Sequence, residues 1–275
     1  TFDIVLTNPP WEAIKPDRRE LKSFSPGERG CYERALKSYD LRLAEMLPRS
    51  QPDAKLYGWG TNLSRCGLEL SLELLSPRGI CGIVLPSSIL ADQVSVGLRR
   101  WTLRRFRICS IDYYPAETKP FEHVDQPCIT MVMDRGEKNG TACPLVTRFD
   151  RNRIKLGSET MRLSADDLEK LSYRIPAELS SSELSLLLRF SAFPTLAALD
   201  TTSGGDLWLG RELDETGYQS FISDKGTVPF AKGRHVQRFA EVPGLTDFIR
   251  PGARAMPDSA AHERVAWRDV SRRSQ

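Results

Sequence analysis

Short continuous apolar runs alternate with helical periodicities over the first half of the chain, and this rhythm changes beyond about residue 145. Phe2-Asp3-Ile4-Val5-Leu6 opens as a strand of the kind covered on both faces, and it ends at Thr7-Asn8-Pro9-Pro10-Trp11. Residues 12–56 are polar except where Tyr32, Ala35, Leu36, Tyr39, Leu43, Met46 and Leu47 recur at helical spacing, which predicts a helix near 31–47. Leu68, Leu70, Leu72, Leu74 and Leu75 predict a buried helix over 61–76, stopped by Pro77 and Gly79. A strand over 79–85, a helix near 89–105, and strands at 107–113 and 128–133 follow. Apolar strands alternating with helices predict an α/β layer sandwich with a mainly parallel sheet.

Residues 150–180 are polar and predict one short helix, Ala165–Leu171, before Ser180-Ser181-Ser182-Glu183 caps a helix over Leu184–Phe190. From Thr201 the signals are Gly-rich turns and short strands at Asp206–Glu212, Gln219–Ser223 and Val228–Phe230, the mark of a second, β-rich region.

Composition narrows the classes. With 275 residues, 40% hydrophobic and 27% charged, the chain is ordinary for a globular protein, and no apolar run is long enough to span a bilayer. The six cysteines sit singly and the three histidines are scattered. No metal site is therefore expected, and the thiols read as reduced, in a cytoplasmic protein. Net charge is +3, unevenly spread: residues 226–275 hold nine Lys/Arg against five acids. A second basic cluster, Arg99, Arg100, Arg104, Arg105 and Arg107, surrounds Trp101. Either group of charges suits phosphate.

The chemistry concentrates at Asn8-Pro9-Pro10-Trp11. Ligands of open α/β sheets bind at the C-terminal ends of strands, where this segment falls. Two prolines preset the backbone around Asn8, so its Oδ1 and the Pro9 carbonyl become two acceptors held together. An exocyclic amine on a heteroaromatic ring offers two N–H donors to such a pair, with Trp11 stacking on the ring face.

The segment resembles the N-P-P-aromatic hallmark of adenine-N6 DNA methyltransferases. Leu68–Pro86 is similar to that family's next helix and strand, and Pro120–Ile129 to its loop and final strand, which implies a base-stacking role for Phe121. Lys232-Gly233-Arg234-His235-Val236-Gln237-Arg238-Phe239 is similar to a segment of the target-recognition domains found with type II restriction systems. Arg264–Gln275 resembles the type IIS-associated subgroup.

The resemblance implies a partial Rossmann-like methyltransferase sheet in 1–148, a connector in 149–185 and a partial, β-rich target-recognition domain in 186–275. It implies catalysis by Asn8, Pro9, Pro10 and Trp11, with Lys232, Arg234 and Arg238 on double-stranded DNA and a cognate restriction endonuclease as partner. S-adenosyl-L-methionine is the implied cofactor, yet the family's glycine loop and acidic ribose ligand stand upstream of the motif that opens this chain. A fragment is therefore expected, with an open apolar edge at Phe2–Leu6 and no methylation by the chain alone. A non-catalytic DNA-recognition module, or a methyltransferase acting on cytosine-N4, RNA or protein glutamine, are the alternatives.

Overall fold

The computed structural model describes residues 1–52, 59–122, 124–136, 141–201, 204–207, 219–226, 228–230 and 247–250. The chain divides into two compact units, Thr1–Ala192 and Phe193–Gln275.

The first unit is a mixed α/β fold on a six-stranded sheet. Its elements run β1 (Phe2–Thr7), α1 (Arg18–Leu21), α2 (Pro26–Met46), α3 (Leu63–Glu73), β2 (Leu75–Pro86), α4 (Val96–Arg105), β3 (Arg107–Tyr114) and β4 (Cys128–Asp134). Then come β5 (Leu145–Phe149), β6 (Lys155–Thr160), α5 (Ala165–Lys170) and α6 (Ser181–Phe190). The strand order is β1-β2-β4-β3-β5-β6.

The expectation of a mainly parallel sheet is corrected. β1/β2 and β3/β5 are parallel, while β2/β4, β3/β4 and β5/β6 are antiparallel. A parallel neighbour needs a crossover, and among the described residues only one 3-10 turn, Ala116–Thr118, stands between β3 and β4. The chain therefore returns beside β3 in the opposite sense.

Alternation along the strands divides the sheet's two faces. On one, Cys81, Ile83 and Leu85 of β2, Ile111 of β3, Ile129, Met131 and Met133 of β4 and Val146 of β5 pack with Leu68 and Leu72 of α3 and Leu98 and Leu103 of α4. On the other, the row Leu6, Gly82, Val132, Ser110 and Leu145 crosses five strands, and its leucines and valine are exposed. β1 lies at the sheet edge with Phe2, Ile4 and Leu6 57%, 67% and 78% exposed, so the strand expected to be covered on both faces is covered on one.

α2 begins earlier than its apolar period predicts, because Ser25 and Glu28 form a capping box around Pro26. β6 was not foreseen, and it places part of 149–185 in the main sheet. Its Glu159 binds the start of α6, accepting from the Ser181 hydroxyl and from its backbone N–H (3.2 Å), and it pairs with Arg148 of β5. Arg148 in turn donates to the Ala177 carbonyl (2.8 Å) and to that of Leu179. The Ser181 hydroxyl first, and then Arg148, hold the Glu159 carboxyl below its usual range. A depressed acid stabilises the fold above its unfolded pKa, and that contribution is lost as pH falls through the folded one. Glu159→Gln is accordingly expected to cost under about 1 kcal/mol at pH 7, since the pair is partly exposed. Urea titrations should also show a smaller loss of stability for the variant than for wild type between pH 6 and pH 3.

In the second unit, β7 (Ile222–Ser223), β9 (Phe248–Ile249) and β8 (Val228–Pro229) form a small antiparallel sheet in that order, with Phe230 and Ile249 buried. The strand expected over Asp206–Glu212 falls largely outside the described residues. Among the described residues, no helix is long and apolar enough to cross a membrane, and no group of His, Cys, Asp or Glu is placed to hold a metal.

Candidate functional site

β1 delivers Asn8 to the C-terminal end of the sheet, immediately after the Thr7–Ile83 pairing. Asn8 and Pro10 are exposed, Pro9 is buried and Trp11 is half-buried. The Asn8 side-chain amide engages no group among the described residues, so its Oδ1 remains open to a ligand.

α3 is the platform beneath this segment. Pro9 lies directly on Gly67: a Cβ built there would stand 2.4 Å from Pro9 Cβ and 2.8 Å from Pro9 Cγ. The strand-like stretch that follows is tied to the start of the helix. Leu63 N–H donates to the Glu12 carbonyl (2.8 Å), Ile14 N–H donates to the Thr61 carbonyl (2.9 Å), and Ala13 bridges Asn62. Asn62 caps α3 by accepting from Ser64 N–H (2.9 Å). Farther along the helix, buried Glu69 accepts from the backbone N–H groups of Arg49 (3.0 Å) and Ser50 (2.6 Å), fixing the turn after α2. Burial pushes the Glu69 carboxyl up, against those two hydrogen bonds.

The second aromatic arrives from the β3–β4 loop. Trp11 and Phe121 meet edge to face, ring centroids 5.6 Å apart and planes at 90°. Because the rings touch, a planar base would stack on an open ring face and not between the two. Arg153, itself at φ 63°, pins the Phe121 loop by donating to the carbonyls of Thr118 (3.2 Å) and Lys119 (2.8 Å). The Trp11 indole Nε1–H is buried and finds no acceptor among the described residues. A buried donor without a partner costs stability, and such a group marks a place where a ligand acceptor would be favoured.

The structure thus brings Asn8, Pro9, Pro10, Trp11 and Phe121 to one end of the sheet. Lys232, Arg234 and Arg238, and the Arg264–Gln275 segment, lie outside the described residues. Gly67 and Arg153 were missed by sequence reasoning. A glycine inside an otherwise apolar helix was the available signal for the first; nothing local marked the second.

Two expectations change at the periphery. Arg99 is not a phosphate ligand: it is buried and donates to the carbonyls of Ile89 (2.9 Å), Tyr173 (2.9 Å) and Ser172 (3.4 Å). Arg107 is taken up by Asp134.

The described residues do not by themselves fit S-adenosylmethionine. Among the described residues no glycine turn with a carboxylate stands beside Asn8, where β1 is the sheet edge. In the second unit Gly205 is packed into a tight turn, its N–H on the Asp200 carbonyl (2.9 Å) and the Leu199 carbonyl 2.0 Å from where a Cβ would stand, so this glycine offers no cradle for a nucleoside.

No family model and no curated protein matches the chain. Solved structures do. A modification subunit assigned to a type I restriction enzyme of Vibrio vulnificus is 13% identical, with 61% of this chain and 30% of that one covered, at TM-score 0.33. The type I restriction-modification methyltransferase subunit of Streptococcus thermophilus is 15% identical, with 70% and 31% covered, at TM-score 0.35. A component of a further type I system is 14% identical, with 70% and 42% covered, at TM-score 0.40. The chain thus spans between 30% and 42% of the length of these relatives. They belong to type I systems, and the type II, type IIS-like assignment implied by the motifs is corrected accordingly.

Proposed function

We propose that this chain carries the acceptor side of a restriction-modification DNA methyltransferase that acts on adenine-N6. The observation that carries this reading is the fixed juxtaposition at the end of β1: an open Asn8 amide, Pro9 locked on Gly67, and Trp11 against Phe121. Asn8 Oδ1 and the Pro9 carbonyl accept the two N–H groups of the adenine amine, which turns the nitrogen lone pair out of conjugation with the ring. An aromatic face beside them stacks on a base extruded from the duplex. Lys232, Arg234 and Arg238 contact phosphates and base edges. S-adenosylmethionine is the methyl donor in this reading, and the roles given to these residues end at the amine.

The test is the modified-base content of DNA from cells that express the full reading frame. Wild type is expected to yield N6-methyladenine. Asn8→Ala should abolish it while duplex affinity stays within about twofold. Unchanged methylation in the variant, or N4-methylcytosine as the product, overturns the reading.

A further inference from the structure

With Arg99 buried and Arg107 on Asp134, the three remaining arginines of that cluster join Arg135 in an ordered face of their own. Arg100, Arg104 and Arg105 of α4, together with Arg135 just past β4, are exposed. Each is steadied by an aromatic ring. Arg100 lies 5.8 Å from the Tyr173 ring centre, and Arg104 reaches the Tyr173 hydroxyl (3.5 Å). Arg105 lies 5.9 Å from the Trp101 ring, Trp101 packs on Phe106 (5.5 Å), and Arg135 covers Phe106 (5.2 Å). Guanidinium groups on arenes present their N–H edges to an anion, and of the four only Arg135 also spends an N–H on a backbone acceptor among the described residues, the Leu75 carbonyl (3.1 Å). α4 contains no acidic residue. Asp134 is engaged by Arg107, and Glu169, which accepts from the Tyr173 hydroxyl (3.4 Å), is the acid placed beside this face by a hydrogen bond.

The face stands apart from the candidate site. β3 is parallel to β5 and antiparallel to β4, which is antiparallel to β2, so β3 runs in the same sense as β1. Arg107, which follows α4, therefore begins β3 at the end of the sheet opposite Asn8, about 25 Å away along an eight-residue strand.

The geometry points to a second, sequence-independent contact with the sugar–phosphate backbone of duplex nucleic acid, made by Arg100, Arg104, Arg105 and Arg135. An acidic protein surface is the other chemistry that arginines accept. Protein interfaces, however, draw affinity from a central apolar anchor. Here Phe106 is buried and Trp101 half-buried beneath the charges. Backbone binding asks only for cations on an open face, and Arg100 and Arg104 repeat along α4 at about 6 Å.

The experiment measures anisotropy of a labelled duplex of arbitrary sequence with the full chain, from about 50 to 200 mM salt. The substitutions Arg100→Gln, Arg104→Gln and Arg105→Gln are combined, and a matched triple Arg→Lys variant is measured beside them. The glutamine set is expected to make the slope of log affinity against log salt shallower by about 2–3, while the lysine set keeps it. An unchanged slope in the glutamine set overturns the inference and leaves an acidic protein as the partner. Equal loss in both sets also overturns it, because charge would then not be the cause. Methyl transfer is not measured, so this outcome is independent of the reaction assigned to Asn8.

Discussion

Arg99→Met is expected to destabilise the first unit by about 3–5 kcal/mol, the range for removing one partner from a buried, hydrogen-bonded charge. Arg99 is 4% exposed and ties α4 to two other segments, with Nη1 on the Ile89 carbonyl, Nε on that of Tyr173 and Nη2 toward that of Ser172. Burial lowers its pKa to about 10, with Asp92 at 3.5 Å opposing that fall, so the group stays charged at neutral pH. Ser172 and Tyr173 are consecutive non-glycine residues at φ 53° and 58°, a left-handed pair that costs about 1–2 kcal/mol per residue. The guanidinium compensates by donating to the carbonyls that this strained turn aims at it. Methionine keeps the apolar stem and leaves those acceptors without a donor, each worth about 1–3 kcal/mol when buried. Arg100→Met, one residue away and exposed, is expected to stay within about 0.5 kcal/mol. Urea unfolding of the two variants checks this: a shift below about 1 kcal/mol for Arg99→Met would show that the hub carries little.

The same pair of neighbours shows where sequence stops being informative. Five arginines within nine positions look equivalent in a list of charges, and helical periodicity separates the four on α4: Arg99 shares its buried side with Leu98, Thr102 and Leu103. That part was readable. Its acceptors at residues 172 and 173 were not, since no local pattern connects them to α4. β2, β3 and β4 were legible because apolar side chains occupy the core face in continuous or alternating runs. β6 was not, because Lys155–Thr160 is polar and largely exposed, and exists by pairing with β5. The direction of β4 also escaped, because alternation suggests crossovers, while the 115–127 segment is too poor in helix to supply one. In the candidate site, Asn8 through Trp11 stand out locally, because two prolines after a strand constrain the backbone wherever they occur. That Phe121 touches Trp11 depends on Arg153 and on the β3–β4 loop, a matter of tertiary structure.

Gly67→Val is the substitution expected to disable the site without replacing any residue assigned to chemistry. Gly67 sits in the interior of α3, where glycine costs about 1 kcal/mol relative to alanine, so propensity alone favours replacement. Packing opposes it. A Cβ there meets Pro9 at 2.4 and 2.8 Å, and Pro9 has a rigid ring, not a flexible end that can swing aside. Overpacking of this kind costs about 1–3 kcal/mol, so the net loss of stability should be about 1–2 kcal/mol, and the valine branch sets it toward the upper end. The larger consequence is positional. The ties from Glu12 to Leu63 and from Ile14 to Thr61 hold the far side of the segment, so the displaced proline must move Asn8 and Trp11 instead. An acceptor pair displaced by about 1 Å loses about a hundredfold in rate. N6-methyladenine in cells expressing Gly67→Val is therefore expected to fall at least that far, with soluble protein still present. Asn8→Ala should leave stability within about 0.5 kcal/mol, because its side chain is exposed. If Gly67→Val instead methylates at the wild-type level, the seat of Pro9 on α3 does not position the acceptor amine, and the role given to that contact fails.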